Sequence, residues 1–352
     1  SDLAEPAAAW GAVFSMALCV AMLIASEFMP VSLLTPMAEG LGATEGQTGQ
    51  AVSVSGIFAV VASLLVTTLA GRLNRKAVLV GLTALMLVSL VLVAVAPNFA
   101  VLMLARAALG VSIGGFWALA TAVIMRLVPA VEVPRALALI YGGQAIAAAF
   151  AAPMGSYMGG LIGWRGVFWA LVPIVAVNLI WHLVALPSLP ARQRQNARGL
   201  VDVLRRPYFA RGLLAATLTY GAAMTMFTYL RPFLERVTGV DVTTLSVLLL
   251  ILGSAGFIGT WAAGRMVGNG VAALLSLPAI VMGGCTLALL AAGPSLVATA
   301  AILAVWGAMN TATSVIWMGW MSQNVEDAPE AAGSLMVAAI QARGFAPADD
   351  NE

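Results

Sequence analysis

The sequence predicts an all-α polytopic membrane protein made of two pseudo-symmetric helix bundles. Three observations carry that expectation. Of the 352 residues, 61% are hydrophobic and 9% charged. A soluble domain carries roughly 25% charged residues, so polar surface for an aqueous fold is lacking. Ten apolar runs long enough to cross a bilayer follow one another along the chain. Segments of the second half also echo the first at offsets of about 200 residues.

In order, the runs cover approximately 9–34, 46–69, 77–96, 99–127, 134–160, 166–186, 209–234, 243–267, 270–292 and 295–320. Short connections carry the breakers, among them "NRK", "APN", "VPAVEVP" and "GPS". The first run follows "SDLAEPAAAW", which has no basic residue, so it reads as a retained helix rather than a cleaved signal. The fifth reads "GGQAIAAAFAAPMGSYMGG". Its Gly142, Gly143, Gly155, Gly159 and Gly160, with Pro153, make small-residue faces and a kink. That element reads equally as a hinge or seal between the halves and as a plain packing helix.

The echoes are "LAGRL" (69–73) with "AAGRM" (262–266), Pro30 with Pro232, and "SGIF" (55–58) with "AGFI" (255–258). After the tenth run, "SQNVEDAPEAAGSLMVAAIQ" begins an eleventh whose apolar part is only about a dozen residues long, and no twelfth follows. The expected organisation is an N-terminal six-helix bundle (1–187), a cytoplasmic linker (188–208), an apparently incomplete C-terminal bundle (209–341) and a polar tail (342–352).

Charge placement orients the chain. Twelve basic residues fall in alternate loops: Arg72, Arg75, Lys76, Arg126, Arg135, Arg192, Arg194, Arg198, Arg205, Arg206, Arg211 and Arg265. The opposite loops hold three, Arg165, Arg231 and Arg236. The imbalance places the N-terminus and the central linker in the cytoplasm. No basic run is long enough for nucleic-acid binding. Cys19 and Cys285 sit in apolar runs and read as buried thiols, and His182 is the one histidine. No metal-ligand cluster and no nucleophile–base pair is visible, so neither a metal, a cofactor nor an enzyme activity is expected.

An acidic side chain at the bilayer centre costs roughly 3 kcal/mol, so intramembrane charges face a cavity or a partner. Glu27 lies about six residues before the end of the first run, and Arg106 about seven into the fourth, which starts from the same side. Their depths match. The pair reads either as a structural ion pair or as a carboxylate that gains and loses a proton. Gln144, Asn178, Tyr220 and Asn310 also fall mid-run, with Trp117 and Trp317 among them. These read either as interhelical hydrogen bonds and packing or as the lining of an apolar cavity with a few polar groups. Such a cavity suits a flat, neutral, polar-edged molecule.

Several segments resemble the major facilitator superfamily. "LAGRLNRK" (69–76) is similar to its loop 2–3 signature through Arg72, Arg75 and Lys76, with Gly71 where Asp is usual and Asn74 where Gly is usual. "RAALGVSIGG" (106–115) resembles its helix 4 signature. "APMGSYMGG" (152–160) resembles the antiporter signature of helix 5, and "GWRGVFW" (163–169) the usual start of helix 6. More closely, "EFMPVSLLTPMAEGLG" (27–42), "GGFWALATAVIMRLVP" (114–129), "LPSLP" (186–190) and "FTYLRPFLERVTG" (227–239) resemble bacterial purine ribonucleoside efflux permeases, in the drug:proton antiporter branch.

The resemblance implies a proton-coupled exporter of purine nucleosides or related molecules, monomeric in a bacterial inner membrane. It makes Glu27 the coupling acid with Arg106 beside it. Trp117, Gln144, Asn178, Tyr220, Tyr229, Asn310 and Trp317 would bind substrate. Arg72, Arg75, Pro153, Gly155 and Gly159 would serve gating or packing. Multidrug or sugar efflux, and a truncated membrane protein that transports nothing, stand as the alternatives.

Overall fold

A computed structural model describes residues 8–43, 45–191, 197–267 and 271–341. The expected tail at 342–352 and the linker residues Arg192 and Arg194 lie outside the described residues. Those described form helices and no strand: α1 (Trp10–Ser32), α2 (Leu34–Leu41), α3 (Glu45–Leu69), α4 (Arg75–Val95), α5 (Phe99–Leu127), α6 (Val133–Ala185), α7 (Ala197–Leu204), α8 (Pro207–Phe233), α9 (Val242–Met266), α10 (Val271–Leu274), α11 (Leu277–Ala292), α12 (Leu296–Asn324) and α13 (Pro329–Gln341).

Where these helices depart from the apolar runs, a breaker explains it. The first run divides at Leu33, three residues after Pro30, a residue with no N–H to continue the ladder. The fifth and sixth runs join as α6, but Gly163 stands at φ 72° and ψ 162°, outside helical geometry, so α6 is two helices meeting at that glycine. The ninth run divides into α10 and α11, with Pro278 opening the second piece. The central linker contains the short helix α7.

Seven described helices are long and apolar enough to cross a membrane. The helix α8 carries four threonines along its apolar run. Three of them, Thr217, Thr219 and Thr225, return their hydroxyls to carbonyls four residues back, so they leave no unmet donor in lipid.

The two bundles repeat one packing scheme. In the first, Gly110 and Gly114 of α5 press against the main chain of α3 at Ser55 and Ala59. In the second, Gly307 of α12 presses against the main chain of α9 at Leu252, and Thr311 donates to the Gly256 carbonyl at 2.6 Å. Gly110 and Gly307, like Ser55 and Leu252, stand 197 residues apart. The capping residues Asn98 of α5 and Ser295 of α12 keep the same spacing.

Two seams join the bundles. Along one, α6 meets α9, with Ala149 against Gly253 and Ala138 against Gly264. Along the other, α13 packs on α3 and α5, with Gly333 at the Ala118 carbonyl.

A Cβ on Gly114 would sit inside the van der Waals shell of the Ala59 carbonyl oxygen, which is main chain and cannot swing aside. Gly114→Ala is therefore expected to destabilise the protein by roughly 1–3 kcal/mol, as overpacking does. Gly81→Ala is the control, because nothing lies within 4 Å of its new Cβ. The midpoint of thermal unfolding in detergent should fall for the first variant and hold for the second.

Candidate functional site

Arg106 is almost fully buried and ties three helices together. Its Nη1 donates to the Ser26 carbonyl at 2.8 Å, its Nη2 to the Glu27 carbonyl at 3.3 Å and the Ser55 hydroxyl at 3.1 Å, and its Nε to the Ala51 carbonyl at 3.1 Å. The Ser26 bond has a local cause. In a helix that carbonyl would accept from the N–H of residue 30, and residue 30 is proline. Arg106 fills the gap. The guanidinium bonds the main chain at Glu27, and the Glu27 carboxylate acts on it electrostatically. Glu27 itself is half-buried.

A second group of side chains gathers between the bundles. From the N-terminal bundle come Trp117 of α5 and Tyr141 of α6, stacked with centroids 5.0 Å apart and planes at 23°. Gln144 follows Tyr141 by three residues and so shares its helix face. From the C-terminal bundle comes Tyr220 of α8, whose hydroxyl bonds the Ser314 hydroxyl at 3.0 Å. Asn310, Ser314 and Trp317 form one stripe along α12, at helical spacing. Tyr141 lies within electrostatic range of Tyr220 across the divide. Trp317 stands edge-on to Trp320, which stacks on Phe209.

None of these side chains carries a formal charge. Two of their polar atoms, Gln144 Oε1 and Trp317 Nε1, are buried without a hydrogen-bond partner. A buried orphan of this kind costs about 1–3 kcal/mol, which a ligand can relieve.

Asn178 does not join this group. It is fully buried inside the first bundle, where its amide donates to the Ser15 carbonyl of α1 at 2.9 Å. One turn on, His182 shares a hydrogen bond with Thr83 of α4 at 3.0 Å. Both residues hold the second part of α6 to its neighbours. The helices run through Pro153 and Tyr229, but these two side chains lie outside the described part. Gly155 and Gly159 let α6 approach α1, at Ser32 and Leu33 respectively, which is a packing role.

The third feature closes one end of the molecule. We call it the basic end, since it carries the loops rich in arginine. Arg75 is buried there and donates through Nη1 to the carbonyls of Ala70 and Leu73. Through Nε and Nη2 it forms a two-pronged bond to the Glu330 carboxylate, at the start of α13. This contact joins the two bundles. Beside it, Arg206 pairs with Asp327 and holds that carboxyl below its ordinary range through the hydrogen bond. A cavity of about 460 Å³ lies between the α5–α6 corner and the α12–α13 corner, with Arg126, Gln323, Glu326 and Glu330 in its wall. Arg72 is exposed nearby.

Sequence reasoning did not single out Tyr141, Ser314 or Glu330. Tyr141 was detectable as a polar-tipped ring on the face of Gln144, and Ser314 as one turn from Trp317. Glu330 had no such signal, because its partner lies 255 residues away.

Known proteins confirm what this architecture points to. The sequence model of the Major Facilitator Superfamily matches residues 16–348. The chain belongs to the Major Facilitator Superfamily. It is 45% identical over 348 residues to the protein named transcription regulatory protein OpdE of Pseudomonas aeruginosa, covering 96% of this chain and 85% of that one. It is 39% identical over 332 residues to the purine ribonucleoside efflux pump NepI of Salmonella typhimurium, covering 94% and 84%.

Among solved structures, it superposes on the human organic anion transporter MFSD10 with a TM-score of 0.76 at 15% identity, covering 97% of this chain and 92% of that one. The proton:xylose symporter XylE gives 0.77 at 12%, covering 96% and 86%. At such identities these two show the fold alone. Membership of the superfamily places the chain among membrane transporters and away from enzymes, and its two-bundle fold is the one these structures share.

Proposed function

We propose that this superfamily member exports purine nucleosides or related small neutral molecules from a bacterial cytoplasm in exchange for protons. It does so as a monomer in the inner membrane, with its N-terminus and basic end in the cytoplasm. The observation that carries the reading is the uncharged, largely aromatic cluster of side chains contributed by both bundles. An anion or a cation would find no counter-charge among Trp117, Tyr141, Gln144, Tyr220, Asn310 and Trp317, whereas a neutral ring finds stacking faces and polar atoms. The 39% identity to a purine ribonucleoside efflux pump supports the same substrate class.

In this scheme alternating access has the two bundles rock against each other at the two seams. Glu27 is the proton carrier in this scheme. Protonation removes the charge that is costly to shelter, so the acid can be enclosed when the opening changes sides. Arg106 keeps α1 in register beside it.

The test is nucleoside movement into inside-out vesicles carrying an imposed pH gradient. Wild type should accumulate nucleoside when the lumen is acid. Glu27→Gln is expected to lose that gradient-driven accumulation while still binding nucleoside. Undiminished accumulation in the variant would remove Glu27 from the coupling.

A further inference from the structure

The short helix α7 stands where the central linker enters the bilayer. It ends at Leu204, and Pro207 opens α8 directly after the turn. One face of α8 marks the depth. Tyr208, Arg211, Leu214 and Leu218 follow one another at helical spacing, and all four are exposed. A tyrosine and an arginine giving way to leucines mark the passage from headgroups to hydrocarbon. The neighbouring α7 therefore lies at headgroup depth, at the basic end.

The two faces of α7 differ. Val203 is 1% exposed in the core, and Leu200 packs against the same cluster. Val201 and Leu204 are 45% and 44% exposed, although both are apolar. The Arg205 N–H donates to the Val201 carbonyl at 2.9 Å, so Arg205 stands one turn beyond Val201 on that outward face. Arg205 and Arg211 are exposed, and among the described residues neither has an ion pair. Asp202, the one acid of α7, stands on the flank. Arg206 is engaged elsewhere: it pairs with Asp327, while the Tyr208 hydroxyl donates to the Asn324 carbonyl at 3.0 Å. Those bonds fix the α7–α8 corner to the α12–α13 corner.

We infer that α7 is an interfacial helix that binds anionic phospholipid. Val201 and Leu204 sit among the headgroups, and Arg205 and Arg211 take lipid phosphates. Bulk water would leave the two apolar side chains wet, and hydrocarbon would strand the two arginines. A layer of anionic headgroups satisfies both, and a guanidinium bonds phosphate oxygens in pairs. Because the same corner is bonded to α12–α13, the lipid steadies the linker side of the basic end. The inference concerns the membrane and stands whichever molecule is exported.

A nitroxide attached at Val201→Cys tests it in the full chain, reconstituted into bilayers. Cys19 is buried, so only Cys285 needs replacing, by alanine. Depth is read from the label's exposure to oxygen, which concentrates in lipid, against a water-soluble nickel chelate. With phosphatidylglycerol mixed into phosphatidylcholine, the label should favour oxygen, whereas a label at Asp202→Cys should favour nickel. Omitting phosphatidylglycerol, or raising the salt, should move the first label toward water. Inorganic phosphate added to pure phosphatidylcholine bilayers should not bring it back. Arg205→Gln and Arg211→Gln should each cut the ratio of seated to wet label roughly five-fold in the mixed bilayer.

A label at 201 that favours nickel in both bilayers would overturn the seating of α7. Equal depth in both would overturn the part played by anionic lipid, and restoration by inorganic phosphate would overturn lipid as the source of the anion. A response to phosphatidylglycerol that survives both substitutions together would remove these two arginines from the site. The comparison of bilayers uses neither arginine variant, so it decides the matter even if those variants misfold.

Discussion

Glu330→Ala is expected to open the basic end of the molecule. Arg75 is 1% exposed and Glu330 12%, so the variant leaves a buried guanidinium with carbonyl acceptors but no counter-charge. Breaking one side of such a pair typically costs about 3–5 kcal/mol. Here the protein has a way to avoid that cost, because separating the bundles at this end exposes Arg75 to water. The penalty therefore falls on the closed state alone, and the population moves toward the open one. A shift of about 3 kcal/mol changes the ratio of states more than a hundred-fold.

The readout is a single cysteine introduced at Gln323, in the wall of the cavity at that end. Its reaction with a water-soluble maleimide should speed up sharply in the Glu330→Ala background. Arg75→Ala should act in the same direction but less strongly, since the Glu330 left behind lies nearer water. The exchanged pair Arg75→Glu with Glu330→Arg tests whether charge alone matters. Arg75 also closes the turn after α3, so the swap should recover only part of the protection. Full recovery would show that the carbonyl bonds are idle, and no change in labelling with Glu330→Ala would show that the ion pair does not hold the end shut.

Much of this arrangement could be read from the residues, and the limits have physical causes. Apolar length marks a spanning helix because unpaired backbone groups cannot face lipid, so α5 came out at 99–127, as expected. Pro30 and Gly163 shift boundaries because each alters the hydrogen-bond ladder in a way that composition does not measure. Which way a polar side chain points is harder. In water, an amphipathic stripe identifies the buried face, but a helix in lipid is apolar all round.

Gln144 and Asn178 therefore look alike as single amides in apolar runs. Both leave an amide oxygen without a partner, but Gln144 shares the helix face of Tyr141, whereas the Asn178 nitrogen is bonded to α1 inside one bundle. Depth can be counted along a helix, whereas azimuth depends on neighbours distant in the chain. The same limit applies to Glu27 and Arg106, whose matched depth was legible while the carbonyl bonds of Arg106 were not.

Arg106→Met is expected to cause the largest loss of stability, and Pro30 should set its size. The guanidinium serves three carbonyls and one hydroxyl in a region closed to water. Methionine fills a similar volume and offers no donor. The Ala51 carbonyl keeps its place in the ladder of α3, so its loss matters less. The Ser26 carbonyl lacks its regular helix donor, because the nitrogen four residues on belongs to proline. Orphaned buried groups cost about 1–3 kcal/mol each, so the total should reach about 3–5 kcal/mol.

Pro30→Ala restores the missing N–H. In that background α1 can bond Ser26 for itself, and Arg106→Met should become milder by about 1–2 kcal/mol, a coupling that a double-mutant cycle on unfolding midpoints resolves. Arg106→Lys should rescue little, since one ammonium cannot reach acceptors on both α1 and α3. A cycle that closes with no coupling would mean that Arg106 does not serve the proline gap. Its role would then lie with α3 and with the charge on Glu27, and the loss in Arg106→Met should track the protonation of that acid instead.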